Sequence, residues 1–334
     1  MRASLLAAVL ALGGCASHFP PAPVLSGRTM GSDWTVKLAG MRPASGSGLQ
    51  AGVQAQFDAV DQLLSTYKPD SALSRFNAND SGEWQDIDPE LAEVMAYGLG
   101  LAERSGGTYD LTVGPLVNLW GFGPEPARDQ APDAAAIDAA LARVGWRKVE
   151  VDVVHHRARK QPGVRVDLSS LGKGRGVDRV AGYLDSRGVT DYLIDLSGKL
   201  RARGRNVDRP WIVAVEQPDA DDPAGKPRVV PARVELRNAS IATSGDYRRY
   251  FESGGQHYSH IIDPRTGYPV SHATLSATAI AGTCMEADAL ATMFMVMPPD
   301  AALQLAQSDR TPALLISREA QGFRLASSPD WPAQ

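Results

Sequence analysis

Strand-like runs crowd the second half of the chain, at 149–154, 164–168, 191–196, 211–217 and 275–281, with only two helical stretches, 175–187 and 285–297, among them. A doubly wound parallel sheet alternates strand and helix along the chain, and this order does not. The class it predicts is α+β, with mixed sheets and helices. In the first half, 34–38 alternates like a strand, and Val53, Phe57, Val60 and Leu64 keep the spacing of a helix over 50–64. Asp88-Pro89-Glu90 sets an N-cap before a proline at N1, opening a helix that Gly106-Gly107 ends after Arg104. Ile137, Leu141 and Val144 share one face of a further helix after Pro132, with Gly145 as its stop. There is no repeat and no heptad.

The N-terminus reads as an address. Arg2 precedes the apolar run ASLLAAVLAL, which is too short to span a bilayer, a task that takes about 20 residues, but suits a secretion signal. LGGC, ending at Cys15, resembles the bacterial lipobox, and an ordinary signal cut near Ala16 is the alternative. The expected organisation is a lipoprotein signal peptide at 1–14, a linker from the lipid anchor at 15–26, and one domain over 27–334. The expected place is the periplasmic side of a bacterial membrane, the inner one first. The two cysteines are Cys15 and Cys284, so lipid on Cys15 leaves Cys284 without an intrachain partner, and the fold rests on burial and not on disulfides. With 43% apolar and 22% charged residues, a net charge of −4 and no basic cluster, the composition is globular and argues against nucleic acid as a partner.

Several stretches carry chemistry-bearing residues. LSSLGKGRGVDRVA (168–181) lacks the Walker spacing and GxGxxG. It predicts either a glycine-rich turn aiming backbone N–H groups and Lys173 at an anion, or a plain strand-to-helix turn. In MEADALATMF (285–294), Asp288 and Thr292 lie four apart on a helix, so both oxygens share a face. A carboxylate with a hydroxyl suits Mg²⁺, while an Asp favoured by the helix dipole is the plainer reading. GGTYDLTVGPLVNLWGFGP (106–124) is either buried packing or the wall of a flat-ligand pocket. Tyr67, in LSTYKPDSALSRFN, is a core plug or a stacking platform. In SHIIDPRTGYPV (259–270), Pro264 and Gly267 predict a short strand over 260–263 that runs into a tight polar loop.

Together with TMG (29–31) and TSGDYRRYF (243–251), these stretches resemble in order the ApbE family of FAD:protein FMN transferases, over about Gly27 to Met297. The resemblance implies an α+β fold with FAD in a cleft between two subdomains. It also implies Mg²⁺-dependent transfer of FMN from FAD to a threonine hydroxyl of a target flavoprotein. Such acceptors are subunits of membrane redox complexes, the sodium-pumping NADH:quinone reductase or the Rnf type. Met30 and Tyr67 match positions lining the flavin; Thr108, Tyr109 and Asp110 match a FAD-contacting segment; Lys173 matches a position beside the FAD. Asp288 and Thr292 match metal ligands, with a third oxygen near Ser170, from its backbone. His260 and Asp263 match the signature beside the scissile pyrophosphate.

Transfer to a hydroxyl needs a proton acceptor, and His260, with an ordinary pKa of about 6.5, is the candidate base, with His257 its nearest rival. The Asp-Pro turn would leave Asp263 free to orient FAD or the imidazole. Two other functions share these residues: a FAD pyrophosphatase yielding FMN and AMP, and a flavin-binding lipoprotein without catalysis. The chain departs from the family pattern at Ser197-Gly198-Lys199, where Gly-Gly and a small or acidic residue are usual, and at Gly282, where proline is common. Neither departure is expected to touch the metal ligands.

Overall fold

The computed structural model describes residues 23–41, 47–126, 128, 130–216, 232–246, 250–320 and 322–332. The expected signal peptide and Cys15 lie outside these residues.

Eight strands form the main sheet: Val24–Thr29, Ser32–Leu38, Tyr192–Leu196, Lys199–Arg203, Ser240–Gly245, Thr274–Ala281, Ala313–Glu319 and Gly322–Ser327. They lie side by side in chain order, and every neighbouring pair is antiparallel. The mixed α+β class expected is the one found, and no parallel crossover is needed within this sheet. Two of its hairpins close in two residues, Met30-Gly31 (φ 48° and 68°) and Ser197-Gly198 (φ 51° and 86°). Positive φ at both central residues marks the primed turns whose twist matches that of the strands. The first strand starts at Val24, paired with Lys37, so the sheet takes in the last residues of the expected linker.

Side chains alternate across the sheet. Val36, Ile194 and Leu196 pack on helices Gln50–Leu64 and Ser169–Ser186 through Val53, Phe57, Val177 and Val180. Ala277, Ala279 and Leu315 meet helix Cys284–Val296 on that same side. Leu193, Ile241, Leu314 and Ile316 face the other way, against the hairpin of Trp211–Val215 and Ala232–Leu236.

The helices over 50–64 and 89–104 form as expected, the second with the Asp88 carboxylate accepting from Glu90 N at 2.8 Å. Two expectations fail. Residues 164–168 are not a strand. Val164, Val166 and Leu168 are buried, but so is Asp167 between them; the Val166 N–H and carbonyl both bond the Asn77 side chain at 2.8 Å, and Asp167 N donates to Leu111 O. Nor is 168–176 a turn. The helix begins at Ser169, six residues early, and carries Gly172, Gly174 and Gly176 inside it. Glycine is a poor helix former, and here packing overrides propensity. A Cβ on Gly174 would stand 2.4 Å from the Cys284 carbonyl oxygen, and one on Gly176 would stand 3.1 Å from the Phe57 ring.

Candidate active site

The close crossing of the Ser169–Ser186 and Cys284–Val296 helices builds the centre of the site. Asp178 on the first helix accepts from the free N–H groups of Cys284 and Met285 at 2.8 and 2.9 Å, fixing where the second helix starts. One turn on, Asp288 is 2% exposed, and its Oδ2 accepts from Gly174 N at 3.1 Å. Gly174 lies inside the Ser169–Ser186 helix, so this bond ties the two helices together at the carboxylate. Thr292 lies on the same face, as its spacing predicted, and donates to the Asp288 carbonyl at 3.1 Å. Its Oγ1 is 3.2 Å from Ser244 Oγ, at the end of strand Ser240–Gly245. Ser244 was not picked out from the sequence, although it stands inside the TSG of a stretch already singled out.

Lys199 corrects the reading of the Ser197-Gly198-Lys199 departure. Its Nζ lies 2.9 Å from Asp288 Oδ1 and 2.6 Å from the Thr243 carbonyl, so the departure does reach a residue matched to a metal ligand. The reason is register: Lys199 pairs with Ala242, and opposite residues share a face, here the one that carries Ser244. Gly282 accepts from Arg201 at 2.7 Å.

The 106–124 stretch connects this centre to the Asp-Pro turn. Thr108, Tyr109 and Asp110 are all buried. Tyr109 OH lies 2.8 Å from Ser170 Oγ, and burial pushes the phenol well above its ordinary pKa, so it serves as a neutral hydrogen-bonding group. Asp110 is spent on holding two segments together, with Oδ1 accepting from Thr112 N and Oγ1 and Oδ2 accepting from Trp146 N. Burial pushes its carboxyl up, and those three bonds pull the other way. Further on, Trp120 Nε1 donates to Gly267 O at 2.8 Å, and the Phe122 ring meets the His260 ring edge-on at 6.2 Å. The stretch is thus packing for most of its length.

His260 sits just past the end of strand Gln256–Ser259, and not in a strand of its own. It is half-buried, two residues on from Tyr258, which stacks on Phe251 and lies tilted against Trp120. His257 is exposed, paired across the hairpin with Glu252 and lying against the Tyr250 ring at 4.3 Å. Tyr67 is 57% exposed, and its OH donates to the Phe122 carbonyl at 3.2 Å. A ring this exposed is not a core plug. Asp263 is not free. Its Oδ1 accepts from Arg265 N and Nε at 2.9 Å, and its Oδ2 takes Arg265 Nη2 at 2.8 Å. The carboxylate closes the turn, whose backbone is held by Gly267 N bonding Asp263 O at 2.9 Å.

Met30, left-handed at φ 48°, packs between two apolar clusters, where a Cβ on Gly176 would stand 3.4 Å from its Cε. A non-glycine residue in that conformation costs about 1–3 kcal/mol. Lys173 is half-buried on the Ser169–Ser186 helix, three residues beyond Ser170. Two groups therefore form, one around Asp288, Thr292, Ser170 and Tyr109, the other around His260, Tyr67 and Phe122. Ile261, next to His260, packs into the apolar cluster that holds the Cys284–Val296 helix.

A family model described as the ApbE family matches residues 30–315. The chain belongs to the ApbE family. It is 40% identical over 341 residues to the FAD:protein FMN transferase of Klebsiella pneumoniae (strain 342), covering 99% of this chain and 96% of that one. The FAD:protein FMN transferase of Vibrio cholerae is 39% identical over 323 residues, with 96% and 94% covered. Among solved structures, Flavin Transferase ApbE from Vibrio cholerae superposes with a TM-score of 0.83 at 36% identity, covering 93% of this chain and 99% of that chain. The apo flavinyl transferase ApbE of Pseudomonas stutzeri gives 0.82 at 37% identity, with 92% and 95% covered. The ApbE match takes in Met30, Tyr67, the 108–110 segment, Lys173, His260, Asp263, Asp288 and Thr292.

Proposed function

We propose that this chain is a Mg²⁺-dependent FAD:protein FMN transferase that joins FMN through a phosphodiester bond to a threonine of a flavoprotein subunit in a membrane redox complex. The observation that carries the reading is the oxygen set on one helix face. The Asp288 carboxylate, the Thr243 carbonyl and Ser244 surround a cation, the Lys199 ammonium, and the Thr292 hydroxyl joins them through Ser244. A place lined by hard oxygens that already holds a positive charge fits Mg²⁺ in donor type. Among the described residues no three His, Cys, Asp or Glu side chains gather into a metal-holding group, so the site offers one carboxylate with neutral oxygens. Asp288, Thr292 and the Ser170 carbonyl would hold the metal, which when bound supplies neutralisation of the pyrophosphate charge.

The residues of the chain do the rest. Tyr67 offers a ring face at the surface, and Met30 a soft apolar edge, to a flat ring system. His260 accepts the proton of the threonine hydroxyl as its oxygen bonds the FMN phosphorus. The bond from that phosphorus to the bridging oxygen breaks, and AMP leaves with the electron pair. His260 is favoured over His257 because it lies on the packed face beside Phe122, where water is limited, whereas His257 faces solvent. Asp263, tied to Arg265, holds the turn that positions His260.

The site around FAD, the lipid on Cys15 and the periplasmic location belong to the same proposal, supported by the signal-like N-terminus. Purified chain incubated with FAD and Mg²⁺, with and without a threonine-bearing acceptor subunit, tests it. Acceptor-dependent AMP release with a covalent, fluorescent flavin on the acceptor is the expected result. AMP release that ignores the acceptor would indicate a pyrophosphatase, and FAD binding without AMP a non-catalytic carrier.

A further inference from the structure

The lysine after the Ser197-Gly198 turn is 8% exposed, and its ammonium has three protons to place. Three acceptors receive them: Asp288 Oδ1 at 2.9 Å, the Thr243 carbonyl at 2.6 Å and Ser244 Oγ at 3.4 Å. Ser244 Oγ is in turn 3.2 Å from Thr292 Oγ1. Every oxygen around the ammonium is thus of the kind that binds a hard divalent cation, and one of them belongs to the carboxylate that the proposed metal needs. A second cation drawn to Asp288 meets a like charge at hydrogen-bonding range in a buried setting, where screening by water and salt is weak.

We propose that Lys199 is the resident cation of this pocket: it holds Asp288 in the metal-free protein, must swing aside for Mg²⁺ to bind, and so sets the Mg²⁺ affinity of this chain. The inference rests on the reading of Asp288 as a metal ligand. It makes the third residue of the Ser-Gly-Lys departure a device for metal exchange and not a substrate contact. The Ser197-Gly198 turn, left-handed at both residues, fixes the lysine at the start of its strand, facing the helices. The removal of the ammonium then leaves a place shaped for a cation with no tenant of its own.

Titration calorimetry with Mg²⁺ alone, on FAD-free protein, tests this on wild type, Lys199→Met, Lys199→Gln and Asp288→Ala. The two Lys199 variants should bind Mg²⁺ about tenfold tighter than wild type, the scale of removing a nearby like charge, and Asp288→Ala should lose binding. Equal affinity in wild type and the Lys199 variants, with binding lost in Asp288→Ala, overturns the proposal and leaves the metal reading standing. Binding that Asp288→Ala does not weaken overturns both. Should the Lys199 variants not fold, the wild-type chain still decides. Acetylation of Lys199, read by peptide mass spectrometry at fixed pH, should speed up on Mg²⁺ addition. A rate that saturating Mg²⁺ leaves unchanged overturns the proposal.

Discussion

Asp288 and Lys199 answer each other in a buried place, and removing either leaves the other's charge without its partner. Breaking a buried ion pair from one side costs about 3–5 kcal/mol, so Asp288→Ala should lower stability by that order as well as abolish transfer. Asp288→Ala combined with Lys199→Ala should cost clearly less than the sum of the two, as a double-mutant cycle in urea melts will read. His260→Asn should bind FAD as wild type does, while transfer falls by roughly 10²–10⁴, since the imidazole acts on the incoming hydroxyl and not on the bound cofactor. Single-turnover rates on bound FAD separate the two effects. Asp246 gives a pH prediction. Burial pushes its carboxyl from 3.8 up to about 6, and its Oδ1 has no hydrogen-bond partner among the described residues. The folded state therefore holds the proton more tightly than the unfolded chain, and stability falls as pH rises from about 4 to 6, with the penalty complete above 6. Asp246→Asn should gain about 1–2 kcal/mol above pH 6, after discounting for its partial exposure, and nothing below pH 4. At this scale the shared face of Asp288 and Thr292 is legible through helical spacing. The sequence could not yield the Lys199 contact, which depends on a register formed with residues more than forty positions away.

Helices that carry their own signals were legible. Val53, Phe57 and Val60 are buried at the spacing that predicted the Gln50–Leu64 helix, and Asp88 caps its helix as a residue of that type should. What misled was local pattern serving tertiary contact. Alternating apolar residues at 164–168 resemble a strand, but its backbone partners are Asn77 and Leu111, chosen by packing and invisible to periodicity. The glycines at 172, 174 and 176 resemble a loop, yet they lie inside a helix, and Gly174 lets it touch the Cys284–Val296 helix. Gly174→Ala tests that account, because its Cβ would meet backbone at 2.4 Å and cannot be accommodated by a rotamer change. It should destabilise by about 1–3 kcal/mol or more, the overpacking range, and lower Mg²⁺ affinity by displacing Asp288 from the Gly174 N–H. Gly182→Ala, on the same helix with open space around its Cβ, should be neutral or stabilising, and thermal melts of the two compare them directly.

Across the molecule, eight antiparallel strands in chain order place the ends of Ser240–Gly245 and Lys199–Arg203 against one helix, and the site is assembled where they meet. The α+β class followed from the missing strand–helix alternation. The strand order did not, because neighbours such as Ser32–Leu38 and Tyr192–Leu196 are separated by a long run of helices and short strands whose return path no local signal marks. The sequence pointed to the site as a set of stretches, and the fold shows which of their atoms meet. Asp288 and Thr292 meet at the oxygen set, Tyr67 and His260 flank Phe122, Asp110 ties its loop to Trp146, and Asp263 is spent on its own turn. The central claim is transfer of FMN to protein, and intact-mass spectrometry of a threonine-bearing acceptor, incubated with FAD, Mg²⁺ and this chain, tests it most directly. The acceptor should gain one FMN less one water, one AMP should appear per adduct, and neither should form with Asp288→Ala or with the acceptor threonine changed to alanine. An acceptor of unchanged mass, while folded protein and FAD are present and AMP accumulates, would contradict it.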